Sequence, residues 1–358
     1  MSSIKDTNRN KDLRDAKRYK KDEFYTQLSD IEKEVKFYAD HFKNKTVLCN
    51  CDDPRVSNFF HYFSHNFEKL KLKKIISICY KNQNWDLFTR NSNEKAIYLE
   101  YYGDKNNNKI PDKHEIDIKT LNGDGDFRSK ECTELLKESD IVVTNPPFSL
   151  FREFVSQLFE YNKKFLIIGN VNAISYKEIF QHFQKNKLWM GASIKGGDRE
   201  FGVPEDYPLN AAGCRIDKKG NKFIRVKGVR WFTNLDYKER HENLILYKKY
   251  KSKEFPRYDN YNAINVNVTK DIPVDYNGIM GVPITFIDKY NPDQFEIVGI
   301  TDRSNSSGLQ TKKYTIKDSE RFGDLNARSV LKVSEGDGYK AVYVRLLIKK
   351  KNQASTRN

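Results

Sequence analysis

From residue 46 onward, short apolar runs alternate with polar turns and with segments of helical periodicity. Thr46-Val47-Leu48-Cys49-Asn50-Cys51, residues 74–80, residues 96–102, Ile141-Val142-Val143 and residues 164–170 are mostly β-branched or aliphatic and do not alternate with polar residues. That pattern predicts strands covered on both faces. Between them the period changes. Ile31, Val35 and Tyr38 fall on one helical face, and Phe59, Phe60, Phe63 and Phe67 line another over residues 56–70. Further helices are predicted over 150–158 and 176–186, and the sheet's last strands over 188–190 and 229–234. Strand, helix, strand, helix in short alternation predicts an α/β chain with a mostly parallel sheet. From about Lys248 the helical pattern gives way to Tyr-, Asn- and Pro-rich segments, and 301–339 is Ser-, Gly- and Lys-rich before a last strand at 341–348.

The run at 141–143 stops at Asn145-Pro146-Pro147-Phe148. A residue before proline is pushed into extended conformations, and neither proline carries an N–H. The corner therefore offers the Asn145 side-chain oxygen and the Pro146 carbonyl as acceptors, with the face of Phe148 beside them. Two acceptors and an apolar plate suit a planar ring bearing an exocyclic amino group. Such a nitrogen is a poor nucleophile because its lone pair is delocalised, and two placed acceptors draw it towards a more reactive form. Asn-Pro-Pro is also an ordinary strand-ending turn. The strand before it and the aromatic after it favour the site.

Three other stretches carry candidate chemistry. Phe24-Tyr25-Thr26 precedes the first helix, where hydroxyls cap the helix or meet a ligand at its positive end. The strand at 46–51 and the turn Asp52-Asp53-Pro54 form an opening βα unit, whose ligand sits outside the strand's carboxyl end; the turn contains no glycine. Gly123-Asp124-Gly125-Asp126-Phe127 is a calcium turn or a surface turn by its residues, and it lacks the later bidentate Glu of a calcium loop. No acidic residue follows the second strand where a cofactor ribose is usually gripped; Glu100 and Asp104 are weak substitutes. His61 and His65 share a helix face but have no third ligand, so no metal is expected.

The chain has 358 residues, 38% of them hydrophobic, enough for one large or two ordinary domains. Sixty-four Lys and Arg against 49 Asp and Glu give a net charge of +15, which favours a polyanionic partner. Residues 1–21 cluster Lys5, Arg9, Lys11, Arg14, Lys17, Arg18 and Lys20, and read as a disordered basic arm. No apolar run is long enough to cross a bilayer and the N-terminus is charged, so a cytoplasmic protein is expected. Five cysteines without C-x-x-C spacing argue against zinc ribbons and disulfide frameworks.

The corner resembles motif IV of amino-group methyltransferases, (D/N/S)-P-P-(Y/F). With F-Y-T, C-N-C-D-D-P-R-V-S-N-F-F, G-D-G-D-F, T-N-P-P-F-S-L-F, F-L-I-I-G-N-V-N and N-G-I-M-G-V-P-I-T-F in this order, the chain is similar to the EcoRI-type adenine-specific DNA methyltransferase family. The resemblance runs from about Asp22 to Ile300. It implies a Rossmann-like methyltransferase sheet with helices on both faces over 22–247, and a smaller target-recognition region over 248–358. It implies transfer of a methyl group from S-adenosylmethionine to adenine N6 in duplex DNA, at GAATTC, within a type II restriction-modification system whose endonuclease is a functional rather than physical partner. A monomer is expected. The catalytic set implied is Asn145, Pro146, Pro147 and Phe148. The cofactor set is Tyr25, Thr26, Cys49, Asn50, Asp52, Asp53, Asp126, Phe127 and Phe151, with Phe127 packing on the cofactor adenine. Phe201, Trp231 and Phe232 are candidate walls of the target pocket, although core packing suits at least two of them.

Two other classes compete. Asn-Pro-Pro-aromatic loops also methylate protein glutamines and RNA amines, but such enzymes usually lack a large trailing region. A non-catalytic DNA-binding protein with a decayed methyltransferase fold is opposed by the intact motifs.

Overall fold

The computed structural model describes residues 24–51, 57–79, 96–108, 111–112, 114–203, 207, 209, 213–302, 309–315, 317–318, 326, 331–335 and 338–351. The basic arm at 1–21 and the pair Asp52 and Asp53 lie outside them. The chain divides into two compact units, one formed by residues up to Val171 with Gly191–Leu235, the other by Asn172–Met190 with the chain from Asp236 onward. The predicted helix at 176–186 therefore goes with the second unit, and the division falls before the composition change at Lys248.

The first unit opens with β1 (Tyr25–Thr26), α1 (Leu28–Val35), β2 (Thr46–Cys49), α2 (Asn58–His65), α3 (Phe67–Leu70) and β3 (Lys74–Cys79). It continues with β4 (Ile97–Tyr101), β5 (Ile116–Thr120), α4 (Lys130–Glu138), β6 (Ile141–Thr144), α5 (Phe151–Glu160) and β7 (Lys164–Asn170). After α6 (Lys177–Gln184) and β8 (Trp189–Met190) of the second unit, the chain returns with β9 (Asp198–Val203), β10 (Arg215–Ile216), β11 (Lys222–Lys227) and β12 (Val229–Thr233).

Seven strands of this unit form one sheet in the order β5-β4-β3-β2-β6-β7-β12. Pairing is parallel from β3 through β2 and β6 to β7, and antiparallel at β4, β5 and β12. The sheet is thus mixed, and the mostly parallel expectation holds only for its four central strands. Short βα alternation dictates the parallel centre. Chain order turns back between β2 and β6: β3 follows β2 to one side, and β7 follows β6 to the other. That is the place where an open sheet leaves a crevice at its carboxyl ends.

Packing explains why the centre is rigid. Val47, Leu48, Ile75, Ile76, Val142, Val143, Leu166 and Ile167 are fully or nearly fully buried, as are Phe59, Phe63, Phe154, Phe165, Trp231 and Phe232. Each such side chain contributes about 1.5–3 kcal/mol by leaving water. Gly169 lets Phe151 approach the sheet, since a Cβ there would lie 2.5 Å from the ring. A buried ionic group ties the antiparallel side together. The Glu100 carboxylate lies between Lys74 and Lys119, and Lys74 also reaches Glu138 at 2.6 Å. Glu100 is therefore committed to structure rather than to a ribose.

A second, four-stranded sheet runs β1-β9-β11-β10. Tyr25 pairs with Gly202 and Thr26 with Phe201, so the segment read as a helix start is the edge strand of this sheet. The link from β8 to β9 is held by Glu34 of α1, whose carboxylate accepts from the Tyr38 hydroxyl and from the Ala192 and Ser193 amides at 2.7–2.8 Å.

The second unit contains α6, β8, β13 (Ile264–Asn265), β14 (Met280–Pro283), β15 (Phe295–Ile300), β16 (Lys332–Glu335), β17 (Gly338–Ala341) and β18 (Arg345–Lys350). Its sheet has the order β13-β14-β18-β15 over a core of Phe286, Phe295, Ile297 and Leu346 to Ile348, and β16 and β17 form a hairpin. Gln184 of α6 donates to the Val298 carbonyl at 2.8 Å. Arg240 is buried with its guanidinium 3.8 Å over the ring of Trp189.

Candidate active site

β6 delivers the corner. Its four residues are buried, and the strand ends where Pro146 and Pro147 cannot donate to a ladder. Pro147 is extended (φ −54°, ψ 124°), a 3-10 turn at Phe148–Leu150 follows, and α5 begins at Phe151. Asn145 is 6% exposed and Pro146 is buried, while Pro147 and Phe148 are half-buried. The Asn145 amide nitrogen donates to the Phe24 carbonyl at 2.6 Å. Its oxygen, Oδ1, is buried and accepts from nothing among the described residues.

β2 ends beside it. The Thr144 hydroxyl donates to the Asn50 carbonyl, joining the carboxyl ends of the two strands that flank the reversal in chain order. Cys49 is buried in the strand, and Asn50 is buried with no partner for its Oδ1 among the described residues. Cys51 takes φ 77°, the left-handed conformation for which glycine is the usual residue. The turn thus makes the glycine-like bend without a glycine. Ser57 caps α2 by accepting from the Phe60 amide.

β1 supplies the third side. Thr26 is buried, its Oγ1 has no partner among the described residues, and its carbonyl accepts from Asn58 at 2.7 Å. Neither Tyr25 nor Thr26 caps the helix; Gln27 holds the cap position without a side-chain bond. The Phe24 ring meets Phe148 edge-on at 5.7 Å between centroids, and also meets Phe201 at 5.9 Å and Tyr207 at 6.4 Å. The Phe24 ring, whose own carbonyl takes the Asn145 amide, thus sits in an aromatic cluster.

Buried polar atoms without partners each cost about 1–3 kcal/mol, so native chains place few of them. Here Thr26 Oγ1, Asn50 Oδ1 and Asn145 Oδ1 sit on three segments that meet at the carboxyl ends of β2 and β6. A polar ligand bearing donors and a flat apolar part fits that set.

The structure brings Tyr25, Thr26, Cys49, Asn50, Asn145, Pro146 and Phe148 to one end of the sheet. Other predicted residues are engaged elsewhere. Asp126 is gripped by Arg128 through Nε at 2.9 Å and a second nitrogen at 2.6 Å, and the guanidinium holds its carboxyl below the usual range. Arg128 in turn reaches Glu153 of α5. Phe127 is buried edge-on against Phe154 at 5.0 Å, and Phe151 lies against Phe232 at 4.9 Å. Both rings are buried. Phe201, Trp231 and Phe232 are all buried core residues as well. His65 Nδ1 lies 2.8 Å from the His61 carbonyl, one turn back on its own helix.

Sequence reasoning missed the Phe24 carbonyl and the cluster of Phe201 and Tyr207 around its ring. The aromatic immediately before Tyr25-Thr26 was the available signal, but a main-chain acceptor leaves no trace in residue type.

A family model described as "Adenine-specific methyltransferase EcoRI" matches residues 12–351. The Type II methyltransferase M.EcoRI of Escherichia coli is 53% identical over 291 residues, covering 81% of this chain and 89% of that protein. M.MgeORF184P of Mycoplasma genitalium is 40% identical over 342 residues, 94% of this chain and 97% of its own length. M.MpnI of Mycoplasma pneumoniae is 39% identical over 287 residues, 79% and 83% respectively. No solved structure matches the chain.

Proposed function

The chain belongs to the EcoRI adenine-specific methyltransferase family, and from that membership we propose that the corner at the end of β6 receives an adenine flipped out of duplex DNA. The chain is an adenine-specific DNA methyltransferase of the type II modification class. A duplex hides the amino group, so flipping costs a few kcal/mol, offset by stacking on Phe148 and by hydrogen bonds at N6. Asn145 Oδ1 and the Pro146 carbonyl accept hydrogen bonds from the two N6–H groups and draw the lone pair out of the ring, and the surplus N6 proton leaves to solvent once N6 carries the methyl. Phe148 is half-buried with Phe24 at one edge, which leaves ring surface for a base.

S-adenosylmethionine supplies an electrophilic methyl group on a sulfonium, and no acid is needed for departure of the neutral thioether. Thr26, Asn50 and the end of β2 would hold it beside Asn145, as their unpartnered oxygens suggest. Asp126 retains acceptor capacity beside Arg128 and could meet the cofactor's adenine. Asp52 and Asp53 are proposed from the sequence alone.

The observation that carries this reading is Asn145 Oδ1, a dry acceptor held at the switch point of the sheet. The test is to express the chain in cells free of adenine methylation and to sequence methylated bases. N6-methyladenine at one short motif, GAATTC by family, is expected. Unmodified adenine throughout would overturn the reading, and methylated RNA or protein amide in its place would select the competing class.

A further inference from the structure

Motif IV of amino-group methyltransferases, (D/N/S)-P-P-(Y/F), admits Asp as well as Asn, and a carboxylate is the stronger acceptor. The local structure explains why this chain carries an amide. The Phe24 carbonyl can only accept, and it lies 2.6 Å from the Asn145 amide group. Turned the other way, the amide would set oxygen against oxygen. The orientation is therefore dictated by its partner, with Nδ2 spent on Phe24 and Oδ1 left for a substrate. The carbonyl is itself held: the Phe24 ring packs on Phe148, Phe201 and Tyr207, Tyr25 and Thr26 pair with β9, and the Thr26 carbonyl takes Asn58.

We infer that the Phe24 main-chain carbonyl is a positioning group for methyl transfer, one that aims Asn145 Oδ1 and makes an amide obligatory at that position. The inference rests on the adenine reading above. With Asp in place of Asn145, a buried carboxylate oxygen would face the Phe24 carbonyl oxygen, and both burial and that contact would raise its pKa. Once protonated, the acid mimics the amide: its O–H donates to Phe24 and its C=O takes the place of Oδ1. Among the described residues, the titratable and charged side chains on the elements around the corner are Tyr25 on β1, Cys49 on β2, Asp198, Arg199 and Glu200 on β9, and Arg152, Glu153 and Glu160 on α5, with Tyr207 beyond β9. Glu200 is paired with Arg215, and Glu153 with Arg128.

Single-turnover methylation by Asn145→Asp and by wild type, across about pH 6–9, tests this. At the alkaline end the variant is expected to be at least about 100-fold slower, with KM for S-adenosylmethionine unchanged. The ratio of variant to wild-type rate should rise about tenfold for each pH unit lowered, until the carboxyl is protonated. A variant within tenfold of wild type at about pH 9, or a loss of equal size at every pH, would overturn the inference. If the variant does not fold, Phe24→Ala puts the same question by loosening the carbonyl: kcat is expected to fall about tenfold with cofactor KM unchanged, and an unchanged kcat would overturn it. A wild-type chain inactive in this assay would instead sink the enzymatic reading.

Discussion

The Thr144 hydroxyl donates to the Asn50 carbonyl, so the last residue of β6 is tied to the residue that ends β2. One strand carries the proposed catalytic corner and the other the proposed cofactor turn, and both groups in the bond are buried. Thr144→Val keeps the shape and leaves that carbonyl unpaired. The expected cost is about 1–3 kcal/mol in denaturant unfolding, with roughly tenfold weaker S-adenosylmethionine binding by calorimetry. Unchanged affinity would show that the two ends do not act together.

Phe148→Ala removes the plate on which the base is proposed to stack. Stacking is worth about 1–3 kcal/mol per base, so the flipped state should be markedly depopulated. With 2-aminopurine at the target position, the fluorescence increase on binding is expected to shrink severalfold. A signal equal to wild type would count against Phe148 as the stacking partner.

Glu100 yields a pH prediction of defined sign. Burial pushes its carboxyl up, but hydrogen bonds from Lys119 and Lys74 outweigh burial and hold it below the usual carboxylate range. Its contribution to stability is therefore complete above the unfolded pKa, about 4.3, and is lost as pH falls through the lower folded value. Glu100→Gln removes one of two carboxylates on Lys74, with Glu138 still 2.6 Å away, and is expected to cost about 1–3 kcal/mol near neutrality. The difference from wild type should narrow on acidification towards pH 3. A difference that stays constant with pH would contradict the assignment.

The basic arm at 1–21 lies outside the described residues, and its role is argued from charge alone. Deleting it should weaken DNA binding and flatten the dependence of log K on log salt by about 0.9 for each phosphate the arm neutralises. An unchanged slope would mean the arm does not track phosphates.

The parts of this fold that were legible in sequence are those set by local pattern. β6, its proline stop and β7 follow from β-branched runs and from what proline forbids. The antiparallel direction of β4 and β5 was not readable, because strand direction depends on what joins the strands rather than on their residues. Phe127 and Phe151 illustrate a second limit: a motif position indicates that an aromatic is present, whereas Phe154 and Phe232 decide which way it faces. Glu34 shows a third. Its two main-chain partners after Gly191 are distant in sequence, and nothing in a Leu-Ser-Asp-Ile-Glu helix start announces them.

The central claim is that Asn145 Oδ1 accepts from adenine N6 during transfer. It is tested most directly by the single-turnover rate of Asn145→Ala on duplex DNA, with S-adenosylmethionine affinity measured on the same preparation. The account predicts a rate about 100- to 1,000-fold below wild type, in line with removal of an oxyanion-hole-type interaction, and a cofactor Kd within about threefold of wild type. Near-normal turnover by the alanine variant would contradict it.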